Sequence, residues 1–369
     1  MERFGFVGLP NAGKSSLFNS LAGGGALAAP YAFATTDPNV GVARVPDGRL
    51  DALARMSASR KVVPTTTAFI DIGGLVEGAS KGEGLGNRFL AGIRDVDAIV
   101  FVLRAFTDAD VPGPADPLEH LSIVETELTL ADLESVESRI NRRRKALRSQ
   151  PSDTALAEEV AALEAALEHL EAGTPLFRAW PLAATCNGAD EHPHRVALRS
   201  HFLLTDKPVM AVLNIGEDQL DAAAELAAPI EAELPGATVL PLCVQLEAEA
   251  AQLEAAGRAE LLEGLGLGSG ALERFVAGAH GLLGLRTFLT TGEKESRAWT
   301  FRAGWRAPQC AGRIHTDFER GFIRAEVIDW AELLELGSWG AAREAGRMRV
   351  EGKDYPMRDG DVVEFRFNV

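Results

Sequence analysis

A glycine-rich segment near the start of the chain has the residue types and spacing that bind a nucleotide phosphate. In the run F-G-F-V-G-L-P-N-A-G-K-S-S, Gly8 is followed after four residues by Gly13, Lys14 and Ser15. The glycines let the backbone turn its N–H groups inward, the lysine ammonium can reach the β- and γ-phosphates, and the serine hydroxyl can ligate Mg²⁺. The pattern therefore predicts a phosphate loop between a strand and a helix.

Two further segments contain residues that would complete such a site. A turn-rich stretch after the first helix contains Thr35 and Thr36, and either hydroxyl could enter a Mg²⁺ shell once a γ-phosphate is bound. The strand predicted at Thr67 to Ile70 leads to Asp71, a residue type that can hold a Mg²⁺-bound water. Gly74 follows at D-x-x-G spacing, where a backbone amide can meet the γ-phosphate. These segments are typical of nucleotide switches.

The strand predicted at Pro208 to Leu213 ends on residues that could contact a purine base. Switch GTPases have Asn-Lys-x-Asp at this place, where the aspartate accepts hydrogen bonds from guanine. Here the sequence is Asn214-Ile215-Gly216-Glu217, with a longer carboxylate and no flanking lysine. Adenine has no amine at C2 and an acceptor at N1, so a displaced carboxylate is less unfavourable for it, while Asn214 can still bond the purine edge. This segment indicates a preference for ATP over GTP.

The middle of the chain predicts an antiparallel helical hairpin. Apolar residues recur at spacings of three, four and seven along two arms, on either side of a polar turn at 148–154: Leu133, Val136, Ile140 and Leu147, then Leu156, Val160, Leu163, Leu167 and Leu170. This repeat is typical of a two-stranded coiled coil. Near the tip, the first arm carries the basic cluster Arg142, Arg143, Arg144 and Lys145. The cluster is either a solvated face or the point at which this chain contacts RNA phosphates.

Composition limits the class of protein. The chain has 369 residues, 46% of them hydrophobic and 24% charged, which predicts a globular protein of two or three domains. The net charge of -16 argues against a general DNA, RNA or membrane binder. Cys186, Cys243 and Cys310 are far apart and odd in number, so they predict buried thiols in a reducing compartment. No apolar run reaches the length of a membrane span, so the expected location is the cytoplasm.

The C-terminal region predicts a small mixed sheet. Strand-like runs at Trp299 to Phe301, Phe322 to Ile328 and Val362 to Phe367 are separated by glycine turns. The region is rich in arginine, which either keeps the sheet soluble or binds RNA: Arg302, Arg306, Arg313, Arg343, Arg347 and Arg349. His315 and Asp317 could form an acid/base pair.

Taken in order, these motifs resemble the Obg-like ATPases of the YchF type. The resemblance rests on G-L-P-N-A-G-K-S, F-A-T-T-D-P-N-V-G, D-I-G-G-L-V-E-G-A-S-K-G-E-G-L-G-N and N-I-G-E, and on T-G-E-K-E-S-R-A-W-T and its continuation to the last residue. It implies an α/β fold with a Ras-like P-loop nucleotide domain at 1–120 and 201–282. It further implies a helical coiled-coil insertion at 121–200 and a TGS domain of β-grasp form at 283–369, in which His315 and Asp317 are structural.

The resemblance also implies an activity and its residues. The activity is Mg²⁺-dependent ATP hydrolysis, with ATP preferred to GTP, in association with the ribosome and chiefly its large subunit. The residues implied for the phosphates are Asn11, Ala12, Gly13, Lys14, Ser15 and Ser16. Those implied for Mg²⁺ are Ser15, Thr35 and Asp71, with Gly74 at the γ-phosphate. Those implied for the base are Asn214, the Ile215 main chain and Glu217. The family register thus selects Thr35 over Thr36.

The group that positions the attacking water is not evident. Leu75 occupies the place where many switch GTPases have a glutamine, and an aliphatic side chain cannot orient water. Family members often have a histidine in the loop after the fourth main strand, but the loop here, Phe106 to Gly113, is shorter and has none. His120 lies in the following helix-like segment and is not expected to take the role. We therefore expect slow turnover without a partner.

Two other functions stay open at this stage. A GTP-specific assembly switch of the Obg sort would require a marked guanine preference. A nucleotide-binding scaffold would use the hairpin and the C-terminal domain to hold partners without measurable hydrolysis. A metabolite kinase is less favoured, because the sequence shows no arginine-rich lid and no acceptor site.

Overall fold

The chain forms two compact units. The structure is a computed structural model that describes residues 1–22, 39–72, 85–180, 192–265 and 270–368. Of these described residues, one unit comprises those within 1–43, 67–180 and 192–282, and the other comprises those within 44–66 and 283–368. The expected domain division placed residues 44–66 in the nucleotide domain, whereas the structure groups them with the C-terminal region.

The described residues contain strands and helices in alternation. The strands are β1 (Arg3–Val7), β2 (Val40–Arg44), β3 (Val62–Val63), β4 (Thr66–Asp71), β5 (Ala98–Arg104), β6 (Val209–Asn214), β7 (Val239–Leu242), β8 (Leu285–Thr290), β9 (Ser296–Arg302), β10 (Phe322–Asp329), β11 (Arg349–Glu351) and β12 (Asp361–Phe367). The helices are α1 (Lys14–Ala22), α2 (Gly48–Met56), α3 (Leu85–Arg94), α4 (Pro117–Ser149), α5 (Thr154–Glu171), α6 (Leu176–Ala179), α7 (Pro193–Leu198), α8 (Ala223–Glu233), α9 (Val244–Ala250), α10 (Ala255–Gly264), α11 (Ala271–Leu282), α12 (Ala307–Ile314), α13 (Thr316–Arg320), α14 (Trp330–Leu336) and α15 (Trp339–Glu344). Short 3-10 helices occur at Arg199–His201 and Glu217–Ala222. This alternation confirms the α/β class.

The first unit is built on a sheet with the strand order β2-β4-β1-β5-β6-β7. Strand β1 runs parallel to β4 and β5, and β6 runs parallel to β5 and β7. Parallel strands end at the same edge, and ligands of such sheets bind beyond those carboxyl ends. The register places Phe6 beside Asp71 and Arg104 beside Asn214. The sheet therefore brings the predicted phosphate, metal and base segments to one edge.

Apolar side chains cover both faces of this sheet. On one face, the rings of Phe6, Phe69 and Phe275 lie with their centroids 5.2–6.0 Å apart. On the other face, a larger cluster joins strand β5 to helices α3, α4 and α8 through residues such as Phe101, Leu103, Ile93, Leu121 and Ile230. Every residue of β5 is buried. Burial on both faces explains why this strand is a continuous apolar run in the sequence.

The hairpin begins inside the nucleotide unit. Helix α4 starts at Pro117, four residues before the expected start near 121, because the Asp116 carboxylate accepts the N–H groups of Leu118 and Glu119. Proline is favoured at the first helical position because its fixed φ suits the helix and its missing N–H would be unpaired there. The expected boundary between residues 120 and 121 therefore lies within one continuous helix.

Beyond the sheet, helix α4 pairs with α5. Val136 and Ile140 of α4 pack with Leu163 and Leu170 of α5 in a separate apolar cluster, as the heptad-like spacing predicts.

A buried carboxylate that the sequence did not indicate connects helix α4 to the segment before β6. Asp132 is fully buried, and its oxygens accept the N–H groups of Leu204 and Thr205 and the Thr205 hydroxyl at 2.7–2.9 Å.

The second unit contains a mixed sheet with the strand order β11-β10-β12-β8-β9-β3. Strands β10 and β12 pair antiparallel, whereas β12 and β8 pair parallel. Helix α12 packs on the sheet through Cys310 and Ala311, next to the rings of Phe288 and Phe301. The strand-like runs read from the sequence thus form one small mixed sheet, as expected. His315 accepts the Asp317 N–H at 3.2 Å and caps α13, which is a structural arrangement.

Residues 44–66 belong to this second unit for clear physical reasons. Leu50 and Leu53 of α2 pack in the same apolar cluster as Leu289 and Leu333. Strand β3 adds an edge to the sheet by pairing parallel with β9 at Ser296 and Arg297. A two-residue strand and a short helix give almost no periodic signal, so sequence patterns could not place this segment.

Two of the three cysteines lie within the described residues, and both are buried as the sequence predicts. Cys243 and Cys310 are buried free thiols, and burial raises the pKa of both. Cys186 lies outside the described residues. None of the helices in the described ranges is both long and apolar enough to cross a membrane.

Candidate nucleotide-binding site

The predicted phosphate loop has the backbone shape needed to surround an anion. Strand β1 ends at Val7 and helix α1 begins at Lys14. Between them, Asn11 and Gly13 have positive φ angles of 62° and 100°, a conformation that turns successive N–H groups toward one point. A Cβ atom at Gly8 would overlap the Val102 carbonyl oxygen. The loop therefore needs glycine for close packing at Gly8 and for conformation at Gly13.

Lys14 is a buried cation at the first turn of α1. Its side chain is 6% exposed, and Nζ donates a 2.7 Å hydrogen bond to the Leu9 carbonyl. Burial lowers the pKa of this ammonium to about 8, and the nearby Asp71 carboxylate opposes the shift. A desolvated cation gains more from an anionic ligand than an exposed one does. The arrangement thus favours phosphate binding at the N-terminus of α1.

Ser15 and Asp71 meet beside that lysine. The Ser15 hydroxyl donates a 2.6 Å hydrogen bond to Oδ2 of Asp71, although the two residues are 56 positions apart in the chain. Mg²⁺ in nucleotide sites is usually held by one or two protein oxygens together with phosphate oxygens and waters. One hydroxyl and one carboxylate at the carboxyl edge of the sheet fit such an ion. Thr35, Thr36, Gly74 and Leu75 lie outside the described residues.

Asn214 has a structural role that the sequence did not reveal. Its side chain is 5% exposed; Nδ2 donates to the Ala12 carbonyl at 3.0 Å, and Oδ1 accepts the Val244 N–H at 3.2 Å. It therefore joins the phosphate loop to the start of α9, and only one amide hydrogen is left for a purine. Ile215 is buried, and its N–H donates to the Leu242 carbonyl.

Glu217 stands at the opening of the same region. It is exposed and starts the 3-10 helix Glu217–Ala222. Within the described part of the chain its carboxylate has no hydrogen-bond or ion-pair partner. It lies close enough to Cys243, the residue before α9, to add to the rise in the pKa of that thiol, which is mainly due to burial. The predicted base segment and the start of α9 therefore face each other.

A buried arginine fixes the loop between β5 and α4. Arg104 is 2% exposed and donates hydrogen bonds of 3.1 Å to the carbonyls of Phe106, Val111 and Pro112. Its guanidinium lies 4.6 Å from the centre of the Phe106 ring. Asn11 of the phosphate loop reaches the Pro112 carbonyl at 3.5 Å. Sequence reasoning missed Arg104, although a lone charge at the end of an apolar strand could have indicated it.

His120 is held away from solvent in this part of the structure. It is 2% exposed, and Nε2 lies 3.0 Å from the Pro114 carbonyl. Burial lowers the pKa of the imidazole, so the ring is neutral near pH 7. The side chain supports the loop before α4, and the view that it does not position water stays a prediction.

Comparison with known proteins agrees with this architecture. The family model described as 50S ribosome-binding GTPase matches residues 3–145, and the model of the C-terminal domain of YchF GTPases, described as a protein of unknown function, matches residues 285–368. The chain is 44% identical to the ribosome-binding ATPase YchF of Bacillus subtilis (strain 168) over 372 residues, with 99% of each chain covered. The protein of the same name from Haemophilus influenzae is 45% identical over 374 residues, again with 99% of each chain covered.

A solved structure leads to the same family. The Schizosaccharomyces pombe YchF GTPase matches with a TM-score of 0.86 and 33% sequence identity, covering 99% of this chain and 97% of that chain. Full-length similarity at these identities, together with a phosphate loop of the required geometry, shows that the chain belongs to the YchF family of P-loop NTPases.

Proposed function

We propose that this chain is a Mg²⁺-dependent ATPase that hydrolyses ATP to ADP and phosphate and acts as a nucleotide switch on the ribosome. The observation that carries the proposal is the group formed by Lys14, Ser15 and Asp71 at the N-terminus of α1, where a buried cation and two metal-type oxygens converge. The names of the relatives, ribosome-binding ATPases, support the substrate and the partner.

Each residue of the site would have a separate role in binding the phosphates, holding Mg²⁺ or stabilising the developing charge. Backbone N–H groups of residues 11–16 and the Lys14 ammonium would bind phosphate oxygens and stabilise the charge that develops as water attacks in line. Ser15 and Asp71, with Thr35 as a further proposed ligand, would hold Mg²⁺, and the Gly74 amide would meet the γ-phosphate. Bound Mg²⁺ would supply neutralisation of the phosphate charge. Because the described residues supply no evident water-orienting group, basal turnover should be slow.

The test of hydrolysis is phosphate release from Mg²⁺-ATP by the full chain, alone and with added large ribosomal subunits. We expect a slow basal rate that rises when subunits are present. If no phosphate is released in either condition while nucleotide still binds, the scaffold function is correct instead.

We further propose that Glu217 makes the site prefer ATP to GTP. Its carboxylate is exposed at the base segment, and one extra methylene relative to aspartate displaces the acceptor that guanine would need. Replacing Glu217 with aspartate should lower the ratio of the GTP to the ATP dissociation constant toward one or below one. Calorimetric titration in Mg²⁺ measures both constants. A wild-type preference for GTP would favour the GTP-specific switch, and an unchanged ratio in Glu217→Asp would assign base selection elsewhere.

The ribosome contact is proposed at the hairpin tip, through part of the basic cluster. Arg143 and Arg144 are already paired with Glu159 and Glu164 at 2.8 and 2.9 Å. Arg142 and Lys145 have no carboxylate partner among the residues that the structure describes, and both are exposed. Cations without a protein counter-charge are the ones free to neutralise RNA phosphates.

The C-terminal unit is a weaker candidate for that contact. Four of the six arginines that the sequence singles out form ion pairs with carboxylates of the same unit: Arg306 with Asp354, Arg343 with Glu326 and Glu364, Arg347 with Glu332, and Arg349 with Asp361. Its surface is therefore less cationic than the sequence suggests, which favours the solubilising role for these arginines.

The double variant Arg142→Gln with Lys145→Gln should bind large subunits about tenfold more weakly and with a shallower salt dependence, because two phosphate contacts are lost. Sedimentation with purified large subunits at several salt concentrations measures the affinity and its salt dependence. The matched control is Arg144→Gln, which removes a charge already paired with Glu164 and should change binding little. Equal losses in the two proteins would show that the pairing does not select the contact residues.

A further inference from the structure

The segment that carries Glu217 is held by hydrogen bonds at two points, and Leu220 of the same 3-10 helix packs against the apolar cluster of the sheet. At its start, the Asn214 carbonyl accepts the N–H groups of Ala105 and Phe106 at 2.9 and 3.0 Å. Ile215 is buried and fixed by Leu242. Gly216 is half-buried and the two residues after it are exposed, so hydrogen bonds from the second point add to the hold that Leu220 gives the turn.

That second point is the side chain of Gln219. Its Oε1 accepts the Gly216 N–H at 2.8 Å, and its Nε2 donates to the Ala105 carbonyl at 3.2 Å. The Gln219 N–H also donates to the Gly216 carbonyl at 3.1 Å. One side chain thus closes the turn around Glu217 and ties it to the end of β5. Both ends of the amide are needed for this, since no other residue type of this length has a donor and an acceptor in one fixed plane.

We infer that Gln219 is a positioning residue for purine selection, because it fixes the turn from which the Glu217 carboxylate reaches the base. The inference rests on the proposed function, in which Glu217 disfavours guanine. Gln219 itself need not touch the nucleotide. It acts by limiting the positions that Glu217 can take, so that a displaced carboxylate cannot relax to bond guanine.

A positioning role and a general supporting role predict different changes in the ATP and GTP dissociation constants. Gly216 and Gln219 are half-buried, so water can replace the lost hydrogen bonds and the sheet should stay folded. A merely supporting side chain would weaken ATP and GTP binding equally. A positioning side chain changes the ratio of the two dissociation constants, because only the base tells the two nucleotides apart.

The experiment measures dissociation constants of the full chain for ATP and GTP in Mg²⁺ by calorimetry. Gln219→Met keeps the side-chain length and removes both polar groups, and Gln219→Ala removes the side chain. One net hydrogen bond is worth about 0.5–1.5 kcal/mol, so the ratio of the GTP to the ATP dissociation constant should fall by about 2–13-fold in both variants. An unchanged ratio in both variants would overturn the inference.

A double-mutant cycle with Glu217→Ala tests whether Gln219 acts through that carboxylate. In the Glu217→Ala protein, adding Gln219→Met should leave the ratio unchanged, since there is no carboxylate to position. A further change of the same size would overturn the inference. Gln252→Ala is the matched control, because Gln252 is exposed and its side chain makes no hydrogen bond within the described ranges; its ratio should equal that of the wild type.

The same titrations separate this inference from the proposed function. The wild-type protein alone reports whether nucleotide binds and which purine is preferred. The change caused by Gln219 substitutions reports on positioning, whichever purine the wild type prefers.

Discussion

Replacing Lys14 with methionine should lower kcat for ATP hydrolysis by about 10²–10³-fold, as removal of one preorganised donor to developing charge does. The same change should leave the nucleotide-free protein as stable as the wild type or more so. Among the residues that the structure describes, only a backbone carbonyl and a nearby carboxylate compensate this buried ammonium. A site poised for an anion is destabilised while the anion is absent, which is the usual conflict between stability and activity.

The difference in stability between Lys14→Met and the wild type should depend on pH in a defined direction. Burial lowers the pKa of Lys14 from 10.5 to about 8, so the folded protein binds this proton less tightly than the unfolded chain. The resulting cost, on the order of 3 kcal/mol, is fully present below about pH 8 and disappears as pH rises from 8 to 10.5. The stability gap between Lys14→Met and wild type should therefore shrink over this interval, measured by denaturant unfolding at each pH.

The chain provides a matched control for this substitution. Lys207 also donates to backbone carbonyls, those of Arg94 and Val96 at 3.1 and 2.6 Å, and burial also lowers its pKa. It follows the turn before β6, at the end of the sheet opposite to the phosphate loop. Lys207→Met should change stability but not kcat. If both variants lost turnover to the same degree, the effect of Lys14→Met would reflect general damage to the unit.

Local sequence patterns predicted those parts of the site that depend on one short segment. The phosphate loop, the strand leading to Asp71 and the hairpin repeat each carry a complete signal in a few consecutive residues. The apolar run that becomes β5 likewise stood out, because burial on both faces requires it. Even helix α4 was placed correctly apart from its first turn, where Asp116 and Pro117 extend it.

The parts that sequence could not supply depend on contacts between distant residues. Asn214 bonds Ala12, more than two hundred positions away, and that pairing is invisible until the strands are ordered. Arg144 looks like a free cation in the sequence, yet Glu164 on the facing helix neutralises it. Residues 44–66 join the C-terminal unit through apolar contacts of Leu50 and Leu53 that no local period reveals.

These distant contacts imply that the hydrogen bonds of one side chain connect the phosphate-binding end of the site to its base-binding end. The Asn214 side chain holds Ala12 on one side and Val244 on the other. The Cα atom of Gly13 packs so closely on this amide that an added Cβ would overlap Nδ2. A change at Gly13 should therefore disturb both ends, although the residue belongs only to the phosphate loop.

Gly13→Ala is accordingly expected to weaken ATP and GTP binding by at least about thirtyfold, and by the same factor for each. The φ angle of 100° costs a residue with a Cβ on the order of 1–3 kcal/mol, and displacement of Asn214 leaves buried polar groups unpaired at about 1–3 kcal/mol. The ratio of the two dissociation constants should not change, because Asn214 can bond the purine edge of either nucleotide. Calorimetric titration with each nucleotide measures both factors.

Gly173→Ala separates the two causes of that loss. Gly173 follows helix α5 and has a φ angle of 75°, but an added Cβ there would meet no atom within 4 Å. The Gly173→Ala variant therefore has the conformational cost of a positive φ angle but no steric overlap. It should lower the unfolding temperature without weakening nucleotide binding. If Gly13→Ala lost no more affinity than Gly173→Ala, the contact with Asn214 would not join the two ends. If it lost affinity for one purine only, Gly13 would act on the base and not on the phosphates.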